Sequence, residues 1–253
     1  MSQTRPQNVS LFVTCLVDQF YPEVGEAVVK TLRHTGVQVD FPWGQTCCGQ
    51  PAFNSGYQAE AQAAARHFLE VFGRSEWIVA PSGSCATMVR VFYAELFRGD
   101  PELLAVAKTV ASRTYELSEF LVRVMGVTDL GGRLPEPTRV TYHDACHGLR
   151  ELGIRAEPRA LLASIQGLEL VEMADPGACC GFGGTFSVKY PEISAAILQD
   201  KLDQLHQTEA DLVVAADSSC LMQIGGGLSR QGSSTRPIHL AELLARSLEG
   251  SSG

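Results

Sequence analysis

Cys47-Cys48-Gly49-Gln50-Pro51-Ala52-Phe53-Asn54-Ser55-Gly56 and Cys179-Cys180-Gly181-Phe182-Gly183-Gly184-Thr185-Phe186-Ser187 are two versions of one loop. Each opens on adjacent cysteines and a glycine and continues through further glycines. The other four cysteines fall into the same frame. Cys15 precedes the first pair and Cys85 follows it, while Cys146 precedes the second and Cys220 follows it. Subtracting the first set from the second gives 131, 132, 132 and 135. Eight cysteines scattered at random almost never form two matching sets of four, so the chain is an internal duplication.

The flanking residues carry the same repeat. Leu11–Cys15 and Arg139–His143 are apolar, β-rich runs ending near the first cysteine of each half. Trp77–Pro81 before Cys85 corresponds to Leu212–Ala216 before Cys220, and Tyr115–Leu121 echoes Ile238–Leu244. Within each half the periodicity alternates between strand and helix. Val9–Thr14, Gln38–Phe41 and Trp77–Ala80 read as strands in the first half; Val24–His34, Gln58–Phe72 and Cys85–Leu96 read as helices. The second half repeats this with strands at Val140–Tyr142, Leu168–Met173 and Leu212–Ala216. Its helices are expected at Pro158–Ile165, Pro191–Gln207 and from Cys220 onward. Strands alternating with helices imply right-handed crossovers and parallel pairing. The expected fold is α/β, with two pseudo-symmetric lobes, each a small mostly parallel sheet with flanking helices. The lobes are expected to span 1–135 and 136–253, to meet near Gly131–Thr138, and to be related by a pseudo-twofold.

Composition narrows the class of protein. The 253 residues carry 28 acidic and 20 basic side chains, a net charge of −8, which argues against nucleic-acid binding. No apolar stretch approaches the ~18 residues of a membrane span, and the N-terminus lacks the regions of a secretory signal. A cytoplasmic location is expected, where thiols stay reduced and structural disulfides are rare. The cysteines are then buried bystanders, redox thiols or metal ligands.

Every cysteine position follows an inferred strand, and ligand sites of parallel sheets form at the strands' carboxyl ends. Cys15, Cys47, Cys48 and Cys85 are expected to converge on one site, and Cys146, Cys179, Cys180 and Cys220 on another. Cys85 and Cys220 also open helices, whose dipoles favour thiolates. The plainer reading, cysteines buried in tight turns, would suit a single pair better than a duplicated set of four. All-sulfur ligation fits zinc or an iron–sulfur cluster. Zinc ribbons carry Cys-x-x-Cys knuckles, absent here, whereas adjacent cysteines can reach different irons. Zinc stays open as the alternative.

These runs, with Leu11–Asp18, Pro81-Ser82-Gly83-Ser84-Cys85 and Cys220–Gly226, resemble the lactate-utilization protein A family. The repeated Cys…Cys-Cys-Gly…Cys pattern is that of the cysteine-rich CCG domain, also found in heterodisulfide reductase and in the iron–sulfur component of glycolate oxidase. The resemblance covers essentially the whole chain. It implies an iron–sulfur electron-transfer component of a multi-protein system oxidising L-lactate to pyruvate, a non-autonomous subunit of an L-lactate oxidoreductase. It implies two other lactate-utilization proteins as partners, one of ferredoxin type, and one or two 4Fe-4S clusters, with the noncubane form allowed. In the fullest form of the motif a fifth cysteine completes a terminal Cys-x-x-Cys. Ser82 and Asp217 stand at that position here, leaving cluster type and number open.

His143, His147 and Asp217 are added as candidate ligands, since imidazole and carboxylate both bind metals. His34, His67, His206 and His239 are expected to be structural or solvated. Asp18, Gln50 and Asn54 flank the first site as turn formers or orienting groups. Gly181-Phe182-Gly183-Gly184 lacks the strand and third glycine of a dinucleotide loop, and Gly225–Gly227 reads as a helix stop. Two functions remain: an iron–sulfur redox subunit, and a zinc-bearing structural or interaction protein that positions a partner oxidoreductase.

Overall fold

The computed structural model describes residues 5–250. These form two compact units that divide between Val127 and Thr128. Each unit carries one four-stranded sheet in which every pairing is parallel. In the first, β1 (Asn8–Leu11), β2 (Gln38–Asp40), β3 (Ile78–Ala80) and β4 (Thr114–Glu116) lie in the order β2-β1-β3-β4. In the second, β5 (Arg133–Tyr142), β6 (Gln166–Leu170), β7 (Leu212–Ala215) and β8 (Arg236–His239) lie in the order β6-β5-β7-β8. The registers agree as well. Leu11 faces Val79 as Tyr142 faces Val214, and Val79 faces Tyr115 as Val214 faces Ile238. The α/β reading with two similar lobes holds.

The helices that pack behind the cysteine loops show why the sequence folds this way. Helix Gln58–Phe72 buries Ala61, Ala65, Phe68, Leu69 and Phe72, the i, i+4, i+7 stripe of an amphipathic helix. Helix Pro191–His206 buries Ser194, Leu198, Lys201, Leu202 and Leu205. Each of these lies 133 residues after its counterpart (194−61, 198−65, 201−68, 202−69, 205−72). The buried face is therefore common to both lobes while its chemistry is not: one aromatic position has become a lysine.

Several expectations change. β5 begins at Arg133 and occupies most of the stretch expected to be a linker, Gly131–Thr138, so the units divide before it rather than at 135. β1 stops at Leu11, and Cys15 opens a helix, Cys15–Phe20, instead of following a longer strand. The registers make Phe12 the counterpart of His143 in the other lobe, three residues from the run-on-run match of the flanks, because β5 extends to Tyr142. The helix after β3 is interrupted: Gly83–Thr87 is followed by a π turn, Met88–Phe92, before Tyr93–Leu96. Gly225–Gly227 does not stop a helix but sits within Ser218–Arg230. A Cβ there would lie 2.9 Å from Pro237 at Gly225 and 2.7 Å from Leu202 at Gly227, so the glycines serve close packing. Helix Pro101–Ala111 lies between the repeats' shared elements, capped by Asp100, whose carboxylate accepts from the Leu103 N–H (3.1 Å).

Candidate metal centre

In the first lobe the carboxyl ends of β1, β2 and β3 deliver four cysteines. Cys15 is the first residue of its helix, Cys47-Cys48 form the loop after β2, and Cys85 is the third residue of Gly83–Thr87. Their thiols form one chain of hydrogen bonds, Cys15 to Cys47 to Cys48 to Cys85, the last pair 3.5 Å apart. The glycine of Cys-Cys-Gly has a local reason. Gly49 sits at φ +87°, which turns its N–H onto Cys47 Sγ at 3.4 Å. A Cβ there would stand 3.1 Å from the Ala61 carbonyl, so helix Gln58–Phe72 can press against the loop only if this residue has no side chain. Tyr93 Oη donates to the Cys48 carbonyl at 2.9 Å, and the Cys85 N–H donates to Ser82 Oγ at 3.1 Å. Cys48 and Cys85 lie in the apolar core with Phe12, whose ring meets Phe68 edge-on at 4.9 Å.

The protons of this chain are shared unequally. Hydrogen bonds from Cys15 and Cys48 pull Cys47 down to about 3, making it the thiolate. Cys15 is pushed up first by donating to Cys47, then by burial; Cys48 is pushed up by its bonds to Cys47 and Cys85 and by burial. Ionising Cys15 and Cys48 as well calls for a compensating cation.

The second lobe repeats the plan with different company. Cys146 opens helix Cys146–Leu152 after β5, Cys179-Cys180 form the loop after β6, and Cys220 is the third residue of Ser218–Arg230. Gly181, at φ +86°, donates its N–H to Cys179 Sγ at 3.3 Å, and a Cβ on it would lie 2.5 Å from the Ser194 carbonyl. Cys179, Cys180 and Cys220 are joined by thiol hydrogen bonds. Cys179 is raised first by its bond to Cys180 and then by burial. For Cys180 and Cys220 the largest influence, a neighbour's thiol proton, lowers the pKa; burial and further contacts outweigh it, and both end raised. Cys146 stands outside that thiol chain, 3.8 Å from His147 Nδ1, and is raised by burial and by the charges of Cys179 and Asp217.

Of the added candidates, His143 comes closest to the sulfurs. One of its ring nitrogens and the Sγ atoms of Cys180 and Cys220 all lie within 4.8 Å of one another. The ring is 1% exposed, and neither Nδ1 nor Nε2 makes a hydrogen bond of acceptable geometry. Burial, then the charge of Lys201, holds its pKa down to about 3, against a weaker upward pull from the Pro176 carbonyl. Asp217 stands at the N-cap position of the helix that carries Cys220, is buried, and accepts from Ser219 Oγ at 3.0 Å. His147 and Asp217 are not part of the His143–Cys180–Cys220 group. Around the first site Gln50 Nε2 donates to the Ser84 carbonyl, tying two cysteine loops together, while Asp18 is exposed and accepts from Gln19. His67 bonds the Gly44 carbonyl, and His239 caps helix Leu240–Glu249.

Lys201 is the residue that sequence reasoning missed. It is fully buried, its Nζ donates to the carbonyls of Asp175 (2.8 Å) and Pro176 (3.3 Å), and it feels the charges of Cys180 and Cys220. Its signal was available: a lysine in the buried phase of an amphipathic helix. In chemistry the donor sets fit a thiolate-bound metal centre, with soft sulfur, a backbone N–H on Cys47 or Cys179 and no disulfide consuming the thiols, since all eight cysteines are free.

The cysteine-rich CCG domain matches residues 9–90 and 140–225, one copy per lobe. The chain is 48% identical over 240 residues to lactate utilization protein A 2 of Bacillus cereus (strain AH820), covering 95% of this chain and 98% of that one. It is 48% identical over 239 residues to lactate utilization protein A of an Exiguobacterium species, covering 94% and 96%. In fold it is similar to the crystal structure of a hypothetical protein from Helicobacter pylori, at TM-score 0.59 and 12% identity. That match covers 96% of this chain and about half (49%) of the other.

Proposed function

The chain belongs to the cysteine-rich CCG domain family and, within it, to the lactate utilization protein A group, and from that premise we propose that it is an iron–sulfur electron-transfer subunit of a cytoplasmic, multi-protein system oxidising L-lactate to pyruvate. The observation that carries this reading is the gathering of four cysteines in each lobe from the ends of three neighbouring parallel strands. An iron–sulfur cluster, when bound, supplies a one-electron relay. This chain's residues do the holding. The ligand thiols give up their protons as metal binds, and the N–H groups of Gly49 and Gly181 steady Cys47 and Cys179. Tyr93 fixes the Cys48 backbone, and burial of Cys48, Cys85, Cys180 and Cys220 keeps water from those ligands.

Partners follow from the family resemblance. The sequence carries no ferredoxin-type cysteine run and no recognisable flavin or nicotinamide loop, which agrees with the two further lactate-utilization proteins, one of ferredoxin type, that the family resemblance implies. The zinc-bearing alternative draws on the His143–Cys180–Cys220 group, a donor set that zinc accepts. Anaerobic purification with iron, sulfide and zinc analysis separates the two. Brown protein with EPR signals is expected; colourless protein with stoichiometric zinc would overturn the redox reading. The isolated chain should not oxidise lactate, whereas the system reconstituted with its partners should, and Cys180→Ala should abolish that activity. Robust lactate oxidation by the isolated chain would sink the proposal.

A further inference from the structure

Three polar side chains stand near the second-lobe cysteines, and their atoms are used differently. Asp217, at the N-cap position of the helix carrying Cys220, accepts from Ser219 Oγ at 3.0 Å. His147 Nδ1 lies 3.8 Å from Cys146 Sγ. His143 is the exception: it is 1% exposed, and neither ring nitrogen makes a well-formed hydrogen bond, the Pro176 carbonyl being its one weak polar neighbour on the backbone. An imidazole shut away from water with no well-formed hydrogen bond at either nitrogen is a poor core residue, because its lost hydration is not fully replaced. The first lobe shows what packing alone selects. Phe12 occupies the counterpart position, its N–H donating to the Val79 carbonyl as that of His143 donates to Val214, and its ring packs on Phe68. Where the first lobe has a hydrocarbon ring, the second has a nitrogen donor that shares a 4.8 Å circle with two cysteine sulfurs.

We propose that His143 is a ligand of the second lobe's metal centre, together with Cys180 and Cys220, so that the chain pairs an all-sulfur site with a mixed nitrogen–sulfur site. This rests on the reading that each lobe holds a metal centre. A neutral imidazole in place of a thiolate removes one negative charge from the ligand set and raises the reduction potential. Buried Lys201, close enough to feel both cysteines, acts in the same direction. The second centre is therefore the higher-potential one.

The test uses the full chain carrying Cys48→Ala and Cys85→Ala, which leaves the second site as the one able to assemble. It is loaded anaerobically with iron and sulfide, and in a parallel arm with Zn²⁺ alone. X-ray absorption is expected to show one imidazole nitrogen at about 2.0 Å from the metal. His143→Phe should remove that scattering, and His147→Gln should leave it intact. In unsubstituted protein labelled with ¹⁵N-histidine, pulsed EPR should show a directly bound nitrogen, a measurement that needs no variant to fold. His143→Cys should retain iron and lower the potential. Iron bound without histidine scattering overturns the inference and leaves the iron–sulfur reading standing. Zinc bound through His143 with no uptake of iron does the reverse. Failure to bind either metal defeats both.

Discussion

Phe12 on Phe68 in the first lobe, and His143 with Lys201 in the second, occupy matching places on matching backbones. The N–H of Phe12 reaches Val79 at 2.9 Å and that of His143 reaches Val214 at 2.8 Å, and Phe68 and Lys201 hold the same phase of equivalent helices. The sheet, its register and the Cys-Cys-Gly turn are common to both lobes. What differs is the floor of the site: aromatic and dry in one, nitrogen-bearing and cationic in the other. A shared frame thus sets where sulfur goes, and two side chains set what the sulfur works with.

The largest expected effect tests whether the lobes carry separate centres. Cys48→Ala and Cys180→Ala should each lower bound iron by one centre and leave the other lobe's EPR signal unchanged, with lactate oxidation by the assembled system lost in both. Loss of both signals from either single change would merge the two sites and break the comparison.

Next come the floors themselves. In metal-free protein, Phe12→Ala opens a cavity under Phe68 and Phe72 and should cost about 3–5 kcal/mol by denaturant unfolding. His143→Ala should cost much less in that state, because it also removes two buried nitrogens that make no well-formed hydrogen bond. Equal losses would mean that the imidazole packs as Phe12 does.

Acidity distinguishes the lobes at the ends of β4 and β8. Glu116 and His239 both cap the following helix, Glu116 by accepting from the N–H groups of Ser118 (2.8 Å) and Glu119 (3.2 Å) and from the Ser118 hydroxyl. Burial outweighs these bonds and raises the Glu116 carboxyl to about 7. Because the folded state holds the proton more tightly than the unfolded chain, the contribution to stability is full below about pH 4.5. It is lost as pH climbs through 7, on the order of 3 kcal/mol. Unfolding free energy should fall over that range and flatten in Glu116→Gln; a parallel fall in the variant would remove Glu116 as the cause.

The smallest effect concerns the shared turn. Gly49→Ala and Gly181→Ala both force a side chain into the left-handed region, at about 1–3 kcal/mol each. The new Cβ meets the Ser194 carbonyl at 2.5 Å but the Ala61 carbonyl at 3.1 Å, so Gly181→Ala should lose more. The reverse order, read by thermal unfolding, would show that helix Pro191–His206 yields more easily than Gln58–Phe72.

The cysteine offsets carried the duplication and the alternation of strand and helix carried the parallel sheets, because a repeat and a periodicity constrain long-range placement without any knowledge of contacts. The outer strands β4 and β8 escaped notice as strands since each is three or four residues long and runs straight into a helix. Gly225–Gly227 misled because a glycine run has the same appearance whether it ends a helix or lets Pro237 and Leu202 approach one. His143 was visible as a candidate from its neighbour Cys146; its poorly bonded nitrogens and its meeting with Lys201 depend on which face of a helix 58 residues away turns inward.

The paired substitution also bears on ancestry. If both lobes descend from one repeat, two changes separate Phe12–Phe68 from His143–Lys201, and they happened in some order. A lineage passing through phenylalanine opposite lysine would have buried an ammonium beside hydrocarbon, held by the carbonyls of Asp175 and Pro176. A lineage passing through histidine opposite phenylalanine would have kept every buried group neutral. Whichever pair is older, the second route carries the smaller burial cost, and a present-day relative caught midway should carry histidine at the first position with an aromatic still facing it.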